Sequence, residues 1–317
     1  MRILCGDIGG THSRLAVASL ADGRAILTRV DKRRNADFPD FPAVLAAFLA
    51  GEASFDACCL AVAGPTDGRR VSFTNLDWQL DAQQLAARFG FPHCSLVNDF
   101  SAVGWGLNGL SEPDLAVLQA GQPRGGAPRV ALGAGTGLGV SLCPWRGDHY
   151  QPMASEGGHL GFAPTTPEQD RLLAYLRQRY GRVSLERILS GPGMEDLYRF
   201  CRLEAGLAED PGLAAAQVSQ RGLTGADAQA VRALGLFTAI YGQTAGDLAL
   251  AARADGGVFL AGGIAPRLLD LLGDGRFLAG FRAKGRFAAW MEQVPVAVVL
   301  DPDIGLKGAA LAAGYSR

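Results

Sequence analysis

The sequence carries little charge and no surplus of either sign. Charged residues make up 19% of the 317, and 30 Lys and Arg against 31 Asp and Glu leave a formal net charge of -1. A nucleic acid or an anionic membrane would be met by a basic field, so neither is an expected partner. Cysteine is scarce as well. Cys5, Cys58, Cys59, Cys94, Cys143 and Cys201 form no CxxC pair and no Cys/His cluster with zinc-ligand spacing, which excludes structural zinc of the usual kind and leaves them as small apolar core residues. No apolar run approaches the roughly 20 residues that span a bilayer. Met1 leads straight into a strand-like run without the basic segment, apolar stretch and cleavage site of a leader, so the expected location is the cytoplasm.

Apolar residues are abundant, at 48%, and so are glycines, at 43. The apolar content implies a well-packed globular chain, and the length exceeds what one core usually serves, so two lobes with a cleft are expected. The glycines gather in short motifs. Ile3 to Asp7 and Ser13 to Ala18 read as strands joined by Ile8-Gly9-Gly10, a hairpin. Val130 to Gly133 and Leu138 to Leu142, joined by Ala134-Gly135-Thr136-Gly137, read as a second. Strands are also expected at Ala57 to Ala63, Val71 to Thr74, Cys94 to Val97, Val258 to Ala261 and Val294 to Leu300. Asp81 is placed to cap a helix over Ala82 to Phe89 that stops at Gly90. Helical periodicity runs through Gln169 to Tyr180, Met194 to Leu207, Ala226 to Ala254 and Leu306 to Ala313, and Pro266 is placed to open another helix. In the long helix, Gly235, Gly242 and Gly246 imply close backbone packing. Breakers from Ser111 to Pro128 mark a connection between lobes.

Several motifs could carry chemistry. Glycines at the tip of Asp7-Ile8-Gly9-Gly10-Thr11 allow successive N–H groups to form an anion-binding nest, Thr11 adds a hydroxyl, and Asp7 is a candidate for water-mediated magnesium. An ordinary tight turn would have the same composition. Gly133 to Gly139 repeats the pattern, and two such loops make phosphate binding the better reading, with neither matching a Walker A or Rossmann spacing. Gly262-Gly263 before Pro266 and Arg267 would admit a flat ring or a phosphate, or is simply a βα turn. Asn98-Asp99 ends a strand, where an Asp either accepts a hydroxyl proton or caps the next helix. Glu156 and His159 on a glycine-rich loop, with Glu186 near Gly191, supply acceptors of the kind a sugar needs; each alone would be structural or solvated.

Taken in order, Gly6 to Thr11, Ala61 to Pro65, Thr74 to Trp78, Val97 to Phe100, Gly133 to Gly139, Ser155 to His159, Gly262 to Arg267 and Gly305 to Ala310 resemble the bacterial ATP-dependent glucokinase family of the sugar-kinase, Hsp70 and actin superfamily, over nearly the whole chain. The resemblance implies an α/β, two-lobed, actin-like (ribonuclease H-like) fold with the active site in the interlobe cleft. Residues 1–110, completed by 300–317, would form the small lobe and 111–299 the large one. It implies that Asn98, Asp99, Glu156, His159 and Glu186 bind glucose, with Asp99 the catalytic base. It also implies that Gly6, Asp7, Ile8, Gly9, Gly10 and Thr11, with Gly135 and Thr136, meet the phosphates of ATP, and that Gly262 and Gly263 lie by the adenosine. A cytoplasmic homodimer using Mg2+ is implied too. A related branch carries a cysteine-rich zinc motif near its sugar-binding His; none follows His159 here, which favours the zinc-free branch. The rival readings are a kinase of another hexose, a glucokinase using polyphosphate, and a sugar-sensing regulator. The last would usually carry an added DNA-binding domain, for which Ile3, already in the first hairpin, leaves no room.

Overall fold

The computed structural model describes residues 1–73, 78–208 and 212–315. Thr74, Asn75, Leu76 and Asp77, from the motif that ends at Trp78, lie outside the described residues. The chain divides into two compact units: Met1–Leu115, Ser141–Ala154 and Asp301–Arg317 form the first, Ala116–Val140 and Ser155–Leu300 the second.

In the first unit, β1 (Arg2–Ile8) and β2 (His12–Ala21) form the expected antiparallel hairpin, with Asp7 opposite Arg14. β3 (Arg24–Arg34) pairs with the far side of β2. After α1 (Phe41–Leu49) come β4 (Ala57–Val62), a small hairpin of β5 (Arg70–Ser72) and β6 (Gln79–Asp81), α2 (Ala82–Phe89), and β7 (Cys94–Asn98). β4 runs parallel to β1 and β7 parallel to β4, giving the order β3-β2-β1-β4-β7. Asp81 caps α2 as its position foretells, its Oδ1 accepting from the N–H groups of Gln83 and Gln84, and Gly90 ends the helix with φ 72°. Such a cap contributes about 1 kcal/mol.

The period of two divides this sheet's side chains between two cores. Leu4, Ile8, Leu60 and Val62 join Phe41, Val44 and Phe48 of α1, whereas Ile3, Cys5, Cys59 and Ala61 join a face rich in alanine. Small residues on that second face admit two helices at close range, α3 (Asp99–Gly106) and the C-terminal helix Ile304–Tyr315. A Cβ on Gly308 would overlap the carbonyl oxygen of Ala102, and one on Gly106 would overlap Ile304. The C-terminal helix therefore holds in place the helix that starts at Asp99.

A second sheet has the order β11-β10-β9-β12-β13-β8. Its strands are β8 (Leu115–Gln119), β9 (Arg129–Ala134), β10 (Leu138–Cys143), β11 (Met153–Ser155), β12 (Val258–Ala261) and β13 (Val296–Val299), with β12 parallel to both β9 and β13. The stretch from Ser111 to Pro128 is thus not all connection. Its short apolar run Leu115 to Leu118 pairs at the sheet edge, and Pro113 and Gly121 bound the strand instead of preventing it.

Between β11 and β12 lie α4 (Pro167–Tyr180), α5 (Gly191–Glu204), α6 (Ala215–Leu223) and α7 (Ala228–Ala252). α5 starts three residues before the expected Met194, because Ser190 caps it, accepting from Gly193 N–H at 3.1 Å, and Pro192 needs no donor in the first turn. α6 had no sequence reading. After β12, Pro266 sits in a 3₁₀ turn, Ala265–Leu268, which runs into α8 (Leu269–Leu272); α9 (Arg276–Arg282) and α10 (Ala288–Met291) follow. The glycines of α7 do serve packing: Cβ atoms on Gly242 and Gly246 would meet the backbone of Phe277 and Phe281 in α9, and one on Gly235 would come within 2.9 Å of Arg276. The six cysteines are free thiols, all buried but the partly exposed Cys94. No helix among the described residues is long and apolar enough to cross a membrane.

Candidate active site

β1 and β2 meet at a tip formed by Gly9, Gly10 and Thr11, where Gly9 N–H donates to His12 O at 3.0 Å. The tip is held from the end of β3 by Asn35, which is buried. Asn35 Nδ2 donates to Gly9 O (2.8 Å), its N–H donates to Thr11 O (2.9 Å), and its Oδ1 accepts from the Ser13 hydroxyl (2.7 Å). No motif pointed to Asn35; its one sequence signal is a small amide after the basic run Lys32 to Arg34.

The expected members of this loop differ in what they can offer. Gly6 lies inside the sheet, where a Cβ would come 2.8 Å from Leu60 and 2.9 Å from Leu15, so core packing by itself favours glycine there. Ile8 is fully buried and can meet a ligand only through its main chain. Gly9 takes no left-handed φ and a Cβ there would make only ordinary contact with His12 O, 3.6 Å away, so the fold itself leaves room at this position. Thr11 is exposed. Asp7, at the end of β1, has its carboxyl pKa pushed up by burial, with Arg14 opposite pulling it back; Arg14 is also paired with Asp303.

In the second unit, β9 and β10 meet at Gly135, Thr136 and Gly137, and the loop closes on itself through Gly135 N–H to Gly137 O at 2.8 Å. Two bonds tie it to the segment before α5. Gly191 N–H donates to Gly135 O (2.8 Å), and Leu138 N–H donates to Glu186 Oε2 (2.9 Å). A Cβ at 137 would overlap that same carboxylate oxygen and oblige the Glu186 side chain to shift, whereas at Gly135 the space is open. Thr136 is exposed at the tip.

The residues expected to meet sugar fall in both units. Asn98 and Asp99 stand where β7 passes into α3, and Asn98 is the one that caps the helix: its Oδ1 accepts from Phe100 N–H (2.9 Å) and Ser101 N–H (3.0 Å). Asp99 is the first helical residue, and its Oδ1 accepts from Phe100 N–H at 2.8 Å. Asn98 keeps its Nδ2 as a donor for a ligand, since its oxygen serves the cap.

In the second unit, Glu156 precedes and His159 ends a 3₁₀ turn, Gly157–His159, with His159 Nε2 3.9 Å from Glu156 Oε2 and both side chains more than half exposed. The Gly157-Gly158 pair lets this turn press flat on β10, since a Cβ on Gly158 would overlap Leu138 O and one on Gly157 would lie 3.0 Å from Val140. A second 3₁₀ turn, Leu185–Arg187, carries Glu186 alongside, joined to the first by Leu185 N–H to Leu160 O (2.8 Å) and Arg182 Nη2 to His159 O (2.7 Å). Glu156, His159 and Glu186 thus share one surface although 30 residues separate the first from the last.

β12 leads into Gly262, whose φ of +81° requires glycine and where a Cβ would come 2.9 Å from Ala134 O. Gly263 has open space at its Cβ position. A cavity of about 630 Å³ opens here, lined by Gly135, Thr136, Gly263, Ile264 and Arg267 together with Pro192, Met194 and Leu223. That volume suits a nucleoside-sized ligand. The walls from α5 and α6 went unread in the sequence; the only local signal was Gly191-Pro192-Gly193, whose glycines let a helix start lie against the loop.

The chain matches the family model described as Glucokinase over residues 4–315. It is 38% identical to a glucokinase of Nostoc punctiforme over 335 residues, covering 98% of each chain. It is likewise similar to the crystal structure of a glucokinase from an Antarctic psychrotroph, at 33% identity and TM-score 0.90, covering 99% of this chain and 98% of that one. A glucokinase of Balamuthia mandrillaris, solved in complex with glucose, is similar at 25% identity and TM-score 0.81, covering 99% and 93%.

Proposed function

The chain belongs to the glucokinase family, and from that premise we propose how its residues carry the γ-phosphate of ATP to the 6-hydroxyl of glucose, giving glucose 6-phosphate and ADP. Phosphoryl transfer asks mainly for alignment and for neutralised charge. Asp99 accepts the proton of the 6-hydroxyl. The observation that carries this role is its place at the carboxyl end of β7, where Asn98 already supplies the cap of α3 and an amide could accept the Phe100 N–H bond as well as Asp99 does, so neither contact calls for a carboxylate. Asn98 donates from Nδ2 to a ring hydroxyl, and Glu156, His159 and Glu186 hold the remaining hydroxyls, which a site of charged acceptors discriminates by leaving them unpaired when a hydroxyl is missing. Two of these, Glu156 and His159, are exposed and within 4 Å of each other, which favours a shared polar ligand.

The N–H groups of Gly10 and Thr11 and of Thr136 and Gly137 meet the phosphates, those of Gly9 and Gly135 being spent within their own loops, and the cavity beside Gly263 takes the adenosine, a reading supported by the open Cβ positions at Gly135 and Gly263. Asp7 is the residue that would hold Mg2+, through water. A single carboxylate at the end of β1, beside the first glycine loop, fits an ion that keeps most of its waters, and the ion's charge would offset the burial that raises the Asp7 pKa. When bound, that ion neutralises charge on the β- and γ-phosphates. The family resemblance further supports a cytoplasmic homodimer, which sedimentation would test. The function itself is tested by a coupled assay across hexoses and phosphate donors. Glucose with ATP should give the highest kcat/KM; a preference for another hexose, or for polyphosphate, would replace this reading.

A further inference from the structure

We propose that Glu186 is a positioning residue for the nucleotide as well as a sugar contact: one oxygen of its carboxylate holds the second glycine loop in its phosphate-accepting shape. The inference rests on the reading above that Gly135 to Gly137 meets ATP and that Glu186 faces glucose. Its ground is geometric. Glu186 Oε2 accepts from Leu138 N–H at 2.9 Å, at the point where the loop rejoins β10. Gly137 has no side chain in the one place where a Cβ would displace that oxygen. Ser190 Oγ, the α5 cap, donates to Glu186 O at 2.7 Å, and Gly191 N–H donates to Gly135 O, so the turn bearing Glu186 is stitched to the loop at both ends. A single carboxylate has two oxygens and about four acceptor positions, so Oε1 stays available for a sugar hydroxyl while Oε2 serves the loop.

A plain sugar ligand and a loop-positioning residue respond differently to substitution. With glucose absent, a plain sugar ligand has no bearing on nucleotide affinity. The loop-positioning role requires that it has. Glu186→Ala removes the acceptor and frees Leu138 N–H, whereas Glu186→Gln retains an amide oxygen that can still accept from it. Calorimetry with AMPPNP and magnesium, without sugar, should show affinity weakened roughly tenfold in Glu186→Ala, the range expected when a bond to a charged acceptor is lost. Glu186→Gln should stay close to the parent. Amide hydrogen exchange at Leu138 should quicken in Glu186→Ala and not in Glu186→Gln, which separates loss of this bond from general unfolding. Parent-like AMPPNP affinity and Leu138 exchange in Glu186→Ala, together with weakened glucose binding, would overturn the loop role and leave the sugar assignment standing. Unchanged glucose affinity in both variants would instead overturn the reading on which the inference rests.

Discussion

The two glycine-tipped loops are alike in sequence and unlike in how they are held. Gly9 to Thr11 is fixed by Asn35, a buried neutral amide that reaches it from the adjoining edge of the same sheet. Gly135 to Gly137 is fixed by Glu186, a half-buried carboxylate from a 3₁₀ turn 48 residues away from Leu138. A neutral clamp inside a sheet is insensitive to ligands, because its partners are all backbone and hydroxyl groups of the same hairpin. A carboxylate with one oxygen still available is not insulated in that way. The first loop is therefore a fixture of its unit, and the second is open to whatever else Glu186 binds.

Five substitutions break or sharpen this contrast. The largest effect should come from the proposed base at the start of α3. Asp99→Asn keeps size and hydrogen bonding but cannot take a proton at neutral pH, so turnover should drop on the order of 10² to 10⁴ with the fold intact. Because Asn98 remains the cap, the circular dichroism melt should be unchanged; near-parental turnover at saturating glucose and ATP would dismiss Asp99 as the base.

Next comes Asn35→Ala, which strips the clamp from the first loop and leaves the Ser13 hydroxyl and Gly9 O without partners. A loss of roughly 1–3 kcal/mol in urea unfolding is expected. A loss well under that range would mean that water replaces the amide, and the loop would then be less of a fixture than its bonds imply.

A smaller pair of effects compares the glycines directly. Gly137→Ala forces a charged side chain to move and should cost about 1–2 kcal/mol, while Gly9→Ala, with ordinary contacts and no left-handed φ, should stay within about 0.5 kcal/mol. Equal melting shifts for the two would erase the distinction between the loops.

The smallest change concerns Asp7. Its carboxyl pKa is raised in the folded protein, so the folded state binds that proton more tightly than the unfolded chain does. The corresponding stability is fully present below the ordinary Asp range and is lost as pH rises through the folded value. Asp7→Asn should therefore be more stable than the parent at neutral pH, with the gap closing as pH falls towards 3. Chemical denaturation across that range reads it out, and a parent that is the more stable at neutral pH would show that Arg14 outweighs burial.

Both hairpins, the Asp81 cap, the long glycine-bearing helix and each strand of the parallel core were legible in the sequence, because alternation, capping residues and glycine stops act over a few residues. The edge strands β3 and β8 and the helices α1, α6, α9 and α10 were not. Leu115 to Gln119 is short and sits among prolines and glycines, and only pairing across the sheet makes it a strand. α6 is short too, and its helical identity rests on packing against α5 and α7. Of the candidate site, the residue types of every motif could be read, yet Gly6 and Ile8 turned out to have packing reasons of their own, and Asn35 carried no motif at all.

The sequence by itself determined the local order of the chain and the chemistry it has available: where strands and helices begin, which turns need glycine, and which carboxylates and amides stand at their ends. Those are short-range properties of backbone and side chain. Tertiary structure alone decided which of Asn98 and Asp99 caps α3, which glycines are small for packing and which for room, and that Glu186 reaches Leu138. Each of these depends on which atoms from distant parts of the chain come within 3 Å, and hydrogen bonds and steric overlap are settled at that distance, over separations in sequence that no local pattern records.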